Sequence, residues 1–487
     1  MRKSRGVLLP PLPSGRPRRG AIYGKLRAAM LEGVLAAGEQ LPASREAARG
    51  YGVSRGLMEE VYAQLEDEGF LERRVGRGTF VSRAAGAVAR PVHAPAVAGV
   101  KTHARAAAKV TSRRGRAVAA MAACREPETV RPFNAGIADT RFFPWETWQR
   151  LQARAVRELG RSGLSFSDPR GWPDLRRAIA RYLAQYRGIR CEARQVLVCN
   201  SAQQALQVLA TLLLHPGDEV WLEDPCYLGA RAAFSLAGAA IAPVATDEQG
   251  IRAGDGAVGH GRARMAYVTP SHQYPSGAVL SLERRAELLA WAGGRRSWVI
   301  EDDYDGEFRY AGQPLAALYS LDRQERVVYV GTFNKTMYVG LRLAYAVVPE
   351  ELVEALANIR TQMDGFTPPE RQLAMSLFLE EGHFATHLRR MRAVYGAKHA
   401  QLTAGLAPLA ARGWSWPTEP AGLHLLLRHG DARRVARIAA TSGLELARLS
   451  AYRLRPGRGD GLMLRFGGLE EAALAGGIKT LVEEAGR

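Results

Sequence analysis

Short apolar runs that alternate with longer helical stretches dominate the chain from about residue 130 onward. Five such runs are Val196-Leu197-Val198, Val220-Trp221-Leu222, Met265-Ala266-Tyr267-Val268, Trp298-Val299-Ile300 and Val327-Val328-Tyr329-Val330. Strands that are apolar on both faces and separated by helices are typical of a buried, mostly parallel sheet. The sequence therefore predicts an α/β domain over residues 126–487, with a small C-terminal α+β region over about 350–487.

Residues 20–82 have a different pattern, which predicts three helices and a hairpin. The markers are the helically spaced Ile22, Leu26 and Met30, the N-cap candidates Ser44 and Ser54, the apolar stripe Met58, Val61 and Leu65, and a glycine turn at 76–78. Helix, helix, helix, hairpin is the order of a winged helix-turn-helix. The chain is therefore predicted to be multidomain, with an N-terminal DNA-binding module.

The second helix of a helix-turn-helix enters the major groove through its N-terminal residues, and a wing reaches the minor groove or the backbone. The candidate DNA contacts are Ser44, Arg45, Ser54, Arg55, Arg77, Gly78 and Thr79. The alternative is that these arginines are only a solvated face. The order of the elements and the presence of the wing favour DNA contact.

Charge is distributed unevenly along the chain. The formal net charge is +19, and the stretch between Glu72 and Glu126 contains twelve Lys or Arg and no acidic residue. Such a balance favours nucleic acid or another anionic partner. Residues 1–19 are predicted to be a mobile basic N-terminus, and residues 83–125 a basic interdomain linker.

Several classes of protein are disfavoured by simple counts. Of the four cysteines none forms a close pair, so a zinc cage is not expected and no metal site is predicted. The thiols are expected to be reduced, as in cytosolic proteins. There is no continuous apolar region of signal-peptide type and no run of membrane-spanning length. We expect a cytoplasmic protein without membrane association.

A lysine just past a buried strand indicates a pyridoxal 5′-phosphate (PLP) site. Lys335 follows Tyr329–Asn334, and Asp302 follows the strand at 298–300. A lysine that forms a Schiff base and an acid that pairs with the pyridinium nitrogen are the protein groups that PLP requires. Tyr304 lies two residues after Asp302, on the same side of an extended chain, and is a candidate donor to the ring O3′.

The remaining groups of such a site are also present. A phosphate is bound by amides at a helix N-terminus and by a cation; the candidates are Ser201, Ala202, Gln203, Thr332 and Arg342. Tyr227 is placed to stack on the ring, although core packing is nearly as good an explanation. Arg465 is the candidate clamp for an effector carboxylate. His272 is either a proton carrier or a structural loop histidine, and the second is favoured.

Four strings of the N-terminal unit resemble the winged-helix domain of GntR-type regulators: Leu41–Arg45, Tyr51–Arg55, Glu68–Leu71 and Gly76–Val81. Residues 131–487 resemble fold-type I aminotransferases through the strings Thr269–Gly277, Ile300–Tyr310, Val330–Leu343 and Ala421–His424. Tyr274 stands where those enzymes place an asparagine. The absence of that asparagine disfavours efficient transamination more than it disfavours PLP binding.

The whole chain resembles the MocR-type regulators of the GntR superfamily. The resemblance implies a bacterial transcription factor that binds double-stranded DNA and holds PLP through Lys335. It also implies a homodimer in which the winged helix of one protomer lies against the aminotransferase-like domain of the other. We therefore expect a regulator that senses PLP or a PLP–amine adduct. The alternatives are an active aminotransferase with an appended DNA-binding head, and a DNA-binding protein that uses the domain only for dimerisation.

Overall fold

The computed structural model describes residues 10, 19–88, 112–121, 129–134, 136–165, 167–312 and 315–486. Most of the predicted N-terminal tail and much of the predicted linker, residues 89–111 and 122–125, lie outside the described residues. The chain divides into two compact units at Val110/Thr111. In the described part of the chain, no helix combines the length and the apolar character needed to cross a membrane.

The first unit is a winged helix-turn-helix, as the sequence predicts. Its elements are α1 (Arg19–Leu31), β1 (Gln40–Leu41), α2 (Ser44–Tyr51), α3 (Arg55–Asp67), β2 (Leu71–Arg74), β3 (Gly78–Val81) and α4 (Arg83–Val88). Ile22, Leu26, Met58, Val61 and Leu65 are all fully buried in its core. The strand β1, which the sequence pattern does not predict, pairs with β3 and completes a sheet of order β1-β3-β2.

The second unit is built on an eight-stranded sheet of order β4-β11-β10-β9-β8-β5-β6-β7. The strands are β4 (Val196–Cys199), β5 (Glu219–Asp224), β6 (Ala240–Asp247), β7 (Gly250–Ile251), β8 (Met265–Val268), β9 (Trp298–Asp303), β10 (Val327–Thr332) and β11 (Ala344–Val347). The pairs from β10 through β9, β8 and β5 to β6 are parallel. The predicted, mostly parallel sheet is therefore confirmed.

Helices surround this sheet and a smaller antiparallel one. They are α5 (Arg113–Ala119), α6 (Trp145–Ser165, interrupted at Gly160), α7 (Pro173–Tyr186), α8 (Ala202–Leu213), α9 (Leu228–Ala237), α10 (Ala253–Gly259), α11 (Leu282–Arg295), α12 (Val353–Met363), α13 (Pro369–Glu380), α14 (His383–Ala410), α15 (Ala432–Thr441) and α16 (Glu471–Gly486). The smaller sheet has the order β12-β13-β15-β14, from Trp414–Ser415, His424–His429, Asp460–Arg465 and Ala447–Arg448.

Candidate functional site

Three strands of the large sheet end at the same edge. Since β11 is antiparallel to both β4 and β10, and β10 is parallel to β9, the carboxyl ends of β4, β9 and β10 share one side of the sheet. Ser201 follows β4, Asp302 lies near the end of β9, and Lys335 follows β10. Ligands of open α/β sheets bind outside the carboxyl ends of the strands. The topology therefore brings these three predicted residues to one candidate site.

The Asp302 carboxyl group is buried near the end of β9. Its Oδ2 accepts a hydrogen bond from the Tyr267 hydroxyl at 2.7 Å, and its Oδ1 has no hydrogen-bond partner among the described residues. Burial raises the pKa of Asp302 to about 7; the Tyr267 hydrogen bond opposes that rise and Asp303 adds to it. A buried acceptor without a donor is costly. This oxygen therefore fits a ligand that brings its own N–H, such as a protonated pyridine ring.

The side chains of Lys335 and Arg465 converge on an N-terminal segment of the second unit. Lys335 Nζ donates to the Gly136 carbonyl at 2.6 Å, and Arg465 Nη1 donates to the Asn134 carbonyl at 3.0 Å. A Cβ at Gly136 would lie 3.4 Å from Arg465 Cδ and 3.8 Å from Lys335 Nζ. The amine that can bind the cofactor and the guanidinium that can bind a carboxylate therefore share one small space.

Two tyrosines hold the Arg465 guanidinium. Its Nη2 donates to the Tyr452 hydroxyl at 2.6 Å and to the Tyr274 hydroxyl at 3.2 Å. Burial raises the pKa of Tyr274 well above its usual value, so this hydroxyl is neutral at physiological pH. Because these two hydrogen bonds already fix the guanidinium, it loses less conformational entropy when it makes a bidentate contact with a carboxylate.

The rings beside Arg465 form an aromatic wall around Tyr274. The Tyr274 ring is nearly perpendicular to those of Tyr227 and Tyr304, with centroids 5.8 Å away in both cases. Tyr227 in turn stacks on Tyr267 at 6.5 Å, and Tyr267 is the residue whose hydroxyl binds Asp302. Tyr227 and Tyr304 thus lie in the same cluster as the buried carboxyl group.

The N-terminus of α8 can bind an anion. The Ser201 hydroxyl caps the helix by accepting from the Gln204 amide at 3.1 Å. The first N–H groups of a helix have no partner within it, which leaves the amides of Ala202 and Gln203 for a phosphate. The Gln203 side chain donates to the Gly229 carbonyl at 2.8 Å, so this residue offers a phosphate its backbone N–H rather than its side-chain amide.

Thr332 and Arg342 flank the lysine on either side. The Thr332 hydroxyl accepts from the Asn334 amide at 3.2 Å, and no described residue accepts its proton. Arg342 is exposed, with φ at 53° in the left-handed region, which non-glycine residues rarely adopt. This conformation lies where the chain turns back into β11. Both residues offer the donors that a phosphate group needs.

The arginines of the winged helix differ in whether an acidic side chain of the described residues pairs with them. Arg73 and Arg74 form ion pairs with Glu66 and Glu72 at 2.9 and 3.3 Å. Within the described residues, by contrast, no acidic side chain pairs with Arg45, Arg55 or Arg77, which are all exposed. Gly78 has a φ of 108° and Thr79 is half-buried in the wing. The exposed arginines are the groups expected to contact phosphates or bases.

The two predicted N-caps of this unit have different outcomes. Ser54 caps α3, where its hydroxyl accepts from the Leu57 amide at 3.2 Å, so this prediction is confirmed. The prediction for Ser44 is wrong, because Ala43 occupies the N-cap position of α2. The Ser44 hydroxyl instead donates to Glu59 of α3. The Ser44 hydroxyl therefore bonds to a side chain on another helix, whereas the local pattern predicts a bond to the start of its own helix.

Sequence reasoning misses four residues of the site: Gly136, Tyr267, Tyr452 and, as an Arg465 contact, Tyr274. Tyr267 lies inside an apolar run, whose pattern indicates core. No local signal marks Tyr452, and Gly136 and Tyr452 join the site only through contacts with Lys335 or Arg465. The string Asn134-Ala135-Gly136, polar and small at the start of the domain, is the one pattern that draws attention to this segment.

Comparison with known proteins agrees with both units. Residues 18–81 match the family of bacterial regulatory proteins, gntR family. Residues 99–458 match aminotransferase class I and II. The second match covers well over half of the chain, so the chain has the GntR-type helix-turn-helix and the fold of class I and II aminotransferases.

Relatives that match over nearly the whole chain identify the family. The chain is 34% identical over 468 residues to the probable rhizopine catabolism regulatory protein MocR of Rhizobium meliloti, covering 96% of this chain and 93% of that protein. It belongs to the MocR-type transcriptional regulators. It is also 29% identical to the pyridoxine biosynthesis transcriptional regulator PdxR of Corynebacterium glutamicum, over 92% of each chain. The protein is therefore a DNA-binding transcriptional regulator of the MocR type.

A solved structure supports the cofactor. LysN, the alpha-aminoadipate aminotransferase of Thermus thermophilus, was solved with N-(5′-phosphopyridoxyl)-L-leucine and is 26% identical to this chain. The match covers 80% of this MocR-type chain and 98% of LysN, with a TM-score of 0.67. The aminotransferase-like domain of the regulator is that of PLP-dependent proteins, and pyridoxal 5′-phosphate is its cofactor.

Proposed function

We propose that Lys335 and Asp302 hold the PLP ring and that the ligand state of this site controls DNA binding. Lys335 bonds covalently to the cofactor, Asp302 accepts from the ring nitrogen, and Tyr304 contacts the ring hydroxyl. Tyr227 stacks on the ring. The phosphate is bound by Ser201, Ala202, Gln203, Thr332 and Arg342. The observation that carries this assignment is the buried Asp302 Oδ1, which has no donor among the described residues.

Arg465 extends the proposal to a second ligand. Its guanidinium lies beside Lys335 on the Gly136 backbone, so an amino compound that reacts at the cofactor can place a carboxylate on it. PLP alone, or its adduct with such a compound, is then the signal. The coupling requires that the ligand favours one of two arrangements of the DNA-binding units.

The regulator is proposed to be a cytoplasmic homodimer. A dimer brings two winged helices to DNA, and the distance between these two units then determines which half-site spacing the protein binds. On each head, Ser54 and Arg55 approach the major groove, and Ser44 and Arg45 lie at the start of α2, where they contact a phosphate. Arg77, Gly78 and Thr79 form the wing contact. The unpaired charge of Arg45, Arg55 and Arg77 within the described residues supports this surface.

Titration of DNA from the region upstream of this protein's own gene, with and without PLP at fixed salt, tests the proposal. Salt must be fixed because phosphate contacts make affinity strongly salt-dependent. We expect PLP to shift the affinity or the footprint for the wild-type protein and to shift neither for Lys335→Ala. Equal DNA binding by the wild-type protein in both conditions would contradict PLP as a sufficient signal. Repeating the titration with PLP plus amino acids then tests the adduct.

Aminotransferase activity is the second candidate function, because Lys335, Asp302 and Arg465 together are compatible with it. A regulator needs to stop at the PLP–amine adduct or at a slow half-reaction. Tyr274 fills the place of the asparagine found in the enzymes and contributes its aromatic ring to the pocket. Multiple turnovers of amino-group exchange with a 2-oxo acid would favour the enzyme; a single slow half-reaction would favour the regulator.

A further inference from the structure

A buried histidine contacts the tyrosine assigned to the cofactor ring. His272 is 5% exposed, and its Nδ1 lies 3.1 Å from the Tyr304 hydroxyl. The same hydroxyl lies 2.9 Å from the His272 carbonyl, to which it donates. Both polar atoms of His272 that face Tyr304 therefore fix the position of one phenolic oxygen.

The Asp305 carboxylate fixes the proton of that histidine. Its Oδ2 and Oδ1 lie 3.0 and 3.2 Å from His272 Nδ1, and Oδ2 also accepts from the Leu423 amide at 3.4 Å. A carboxylate beside one ring nitrogen favours the tautomer that carries its proton there. The single Nδ1 proton is then shared between the Asp305 carboxylate and the Tyr304 oxygen, which accepts it through a lone pair. The proton of the Tyr304 hydroxyl, which is donated to the His272 carbonyl, can then turn toward a ligand.

His272 and Asp305 also contact residues 422 and 423, which precede β13, the strand that pairs with the strand of Arg465. Gly422 has a φ of 74°, and a Cβ there would lie 2.0 Å from His272 Cε1, so only glycine allows this approach. The His424 ring lies 4.8 Å from that of His272. In the antiparallel pair β13 and β15, His424 is the direct partner of Arg465. His272 thus lies between the cofactor tyrosine and the strand pair that carries the carboxylate clamp.

We propose that His272 and Asp305 are positioning residues that hold the Tyr304 hydroxyl for the cofactor and tie it to the strands β13 and β15. The proposal rests on the proposed function, because it assumes that Tyr304 contacts the cofactor ring. It gives β13 and its partner β15, which carries Arg465, a physical link to the tyrosine that is proposed to contact the ring hydroxyl of the cofactor. Neither residue needs to touch the ligand itself.

A metal ion is the competing use of these groups. His272, Asp305 and His424 each offer a ligand atom within 4.8 Å of the others, and His424 Nε2 is buried without a hydrogen-bond partner among the described residues. Hydrogen bonding is favoured because His272 Nδ1 already lies within hydrogen-bond distance of both Asp305 oxygens. The positive charges of Arg465 and Lys335 near His424 also disfavour a bound cation.

The pH titration of the visible absorbance band of the PLP-loaded, full-length protein tests the proposal. His272→Phe and Asp305→Asn remove the links and should move the apparent pKa of the band by on the order of one pH unit, the equivalent of one hydrogen bond. His272→Asn keeps a donor near the Nδ1 position and should restore much of the wild-type value. His429→Gln, at the far end of β13, is the matched control and should leave it unchanged.

A double-mutant cycle separates positioning from general damage to the fold. In a Tyr304→Phe background the His272 and Asp305 variants should produce no further shift, because the hydroxyl they act on is absent. An equal shift in both backgrounds, or no shift in the wild-type background, would overturn the proposal. So would a wild-type titration that changes after chelation and returns with Zn²⁺. Failure of the wild-type protein to form any visible band would instead refute the proposed function.

Discussion

The Lys335 amine donates a hydrogen bond to the Gly136 carbonyl at 2.6 Å, although the two residues are 199 positions apart in the chain. A Cβ added to the same glycine would lie 3.4 Å from Arg465 Cδ and 3.8 Å from Lys335 Nζ. One backbone segment therefore bounds the space between the group that can bond to PLP and the group that can bind a carboxylate.

Enlarging residue 136 should weaken the binding of amino compounds. Gly136→Ala adds a methyl group at ordinary contact distance from both cations and should have a small effect. Gly136→Val overfills the space and should lower the apparent affinity for amino acids about tenfold or more. Titration of the visible band with amino acids measures this effect. If both variants bind amino acids as tightly as the wild-type protein does, the bound amino acid does not contact residue 136.

Lys335→Ala should abolish the visible absorbance band of bound PLP, because Lys335 is the lysine proposed to bond covalently to the cofactor. Lys479→Ala, an exposed lysine on α16, is the matched control and should retain the band. Absorbance spectra of both variants after PLP loading and desalting make the comparison. A band that survives in Lys335→Ala would remove this lysine from the site.

Asp302→Asn should lower the affinity for PLP about tenfold to hundredfold, the range expected for a hydrogen bond to a charged group. Glu301→Gln is its control: Glu301 is buried on the same strand but accepts from the Leu318 and Tyr319 amides, each at 2.8 Å. It should change stability more than affinity. Binding isotherms at constant pH measure the difference, and equal losses in both variants would contradict a contact from Asp302 to the ring.

The PLP-free protein should lose stability as pH rises from about 5 to about 7. Burial raises the pKa of Asp302, Glu223 and Glu301 to about 7 in each case. Below that pH the folded state therefore holds more protons than the unfolded state, so the free energy of unfolding falls as pH rises. Thermal unfolding at about pH 5 and about pH 8 measures the slope. Asp302→Asn should reduce this slope, and an unchanged slope would show that Asp302 ionises normally.

Arg55→Ala should weaken specific DNA binding about five- to hundredfold and leave the PLP spectrum unchanged, as expected for the loss of one base contact. Arg19→Ala removes an arginine of the same unit that is already paired with Glu60 at 3.6 Å, and it should have little effect. Affinities for the operator at fixed salt compare the two. Unchanged affinity in Arg55→Ala would exclude this residue from the recognition surface.

Local pattern is enough to predict the elements that carry the site. Runs such as Met265–Val268 and Val327–Val330 are apolar at every position, and they form buried central strands. A lysine after one strand and an acid at the end of its neighbour then predict where a PLP site would lie, because parallel strands end at the same edge. Ser54 caps its helix as predicted, since that interaction spans only three residues.

The amino-acid sequence by itself thus determined the winged helix, the mostly parallel sheet and the placement of candidate site residues at strand ends. Tertiary structure alone decided that Gly136 lies against Lys335, that Tyr274 and Tyr452 hold Arg465, and that Ser44 bonds to Glu59 instead of its helix end. The reason is physical: periodicity and capping act over a few residues, whereas these contacts join residues 13 to 199 positions apart, on different elements that meet only once the domain has packed.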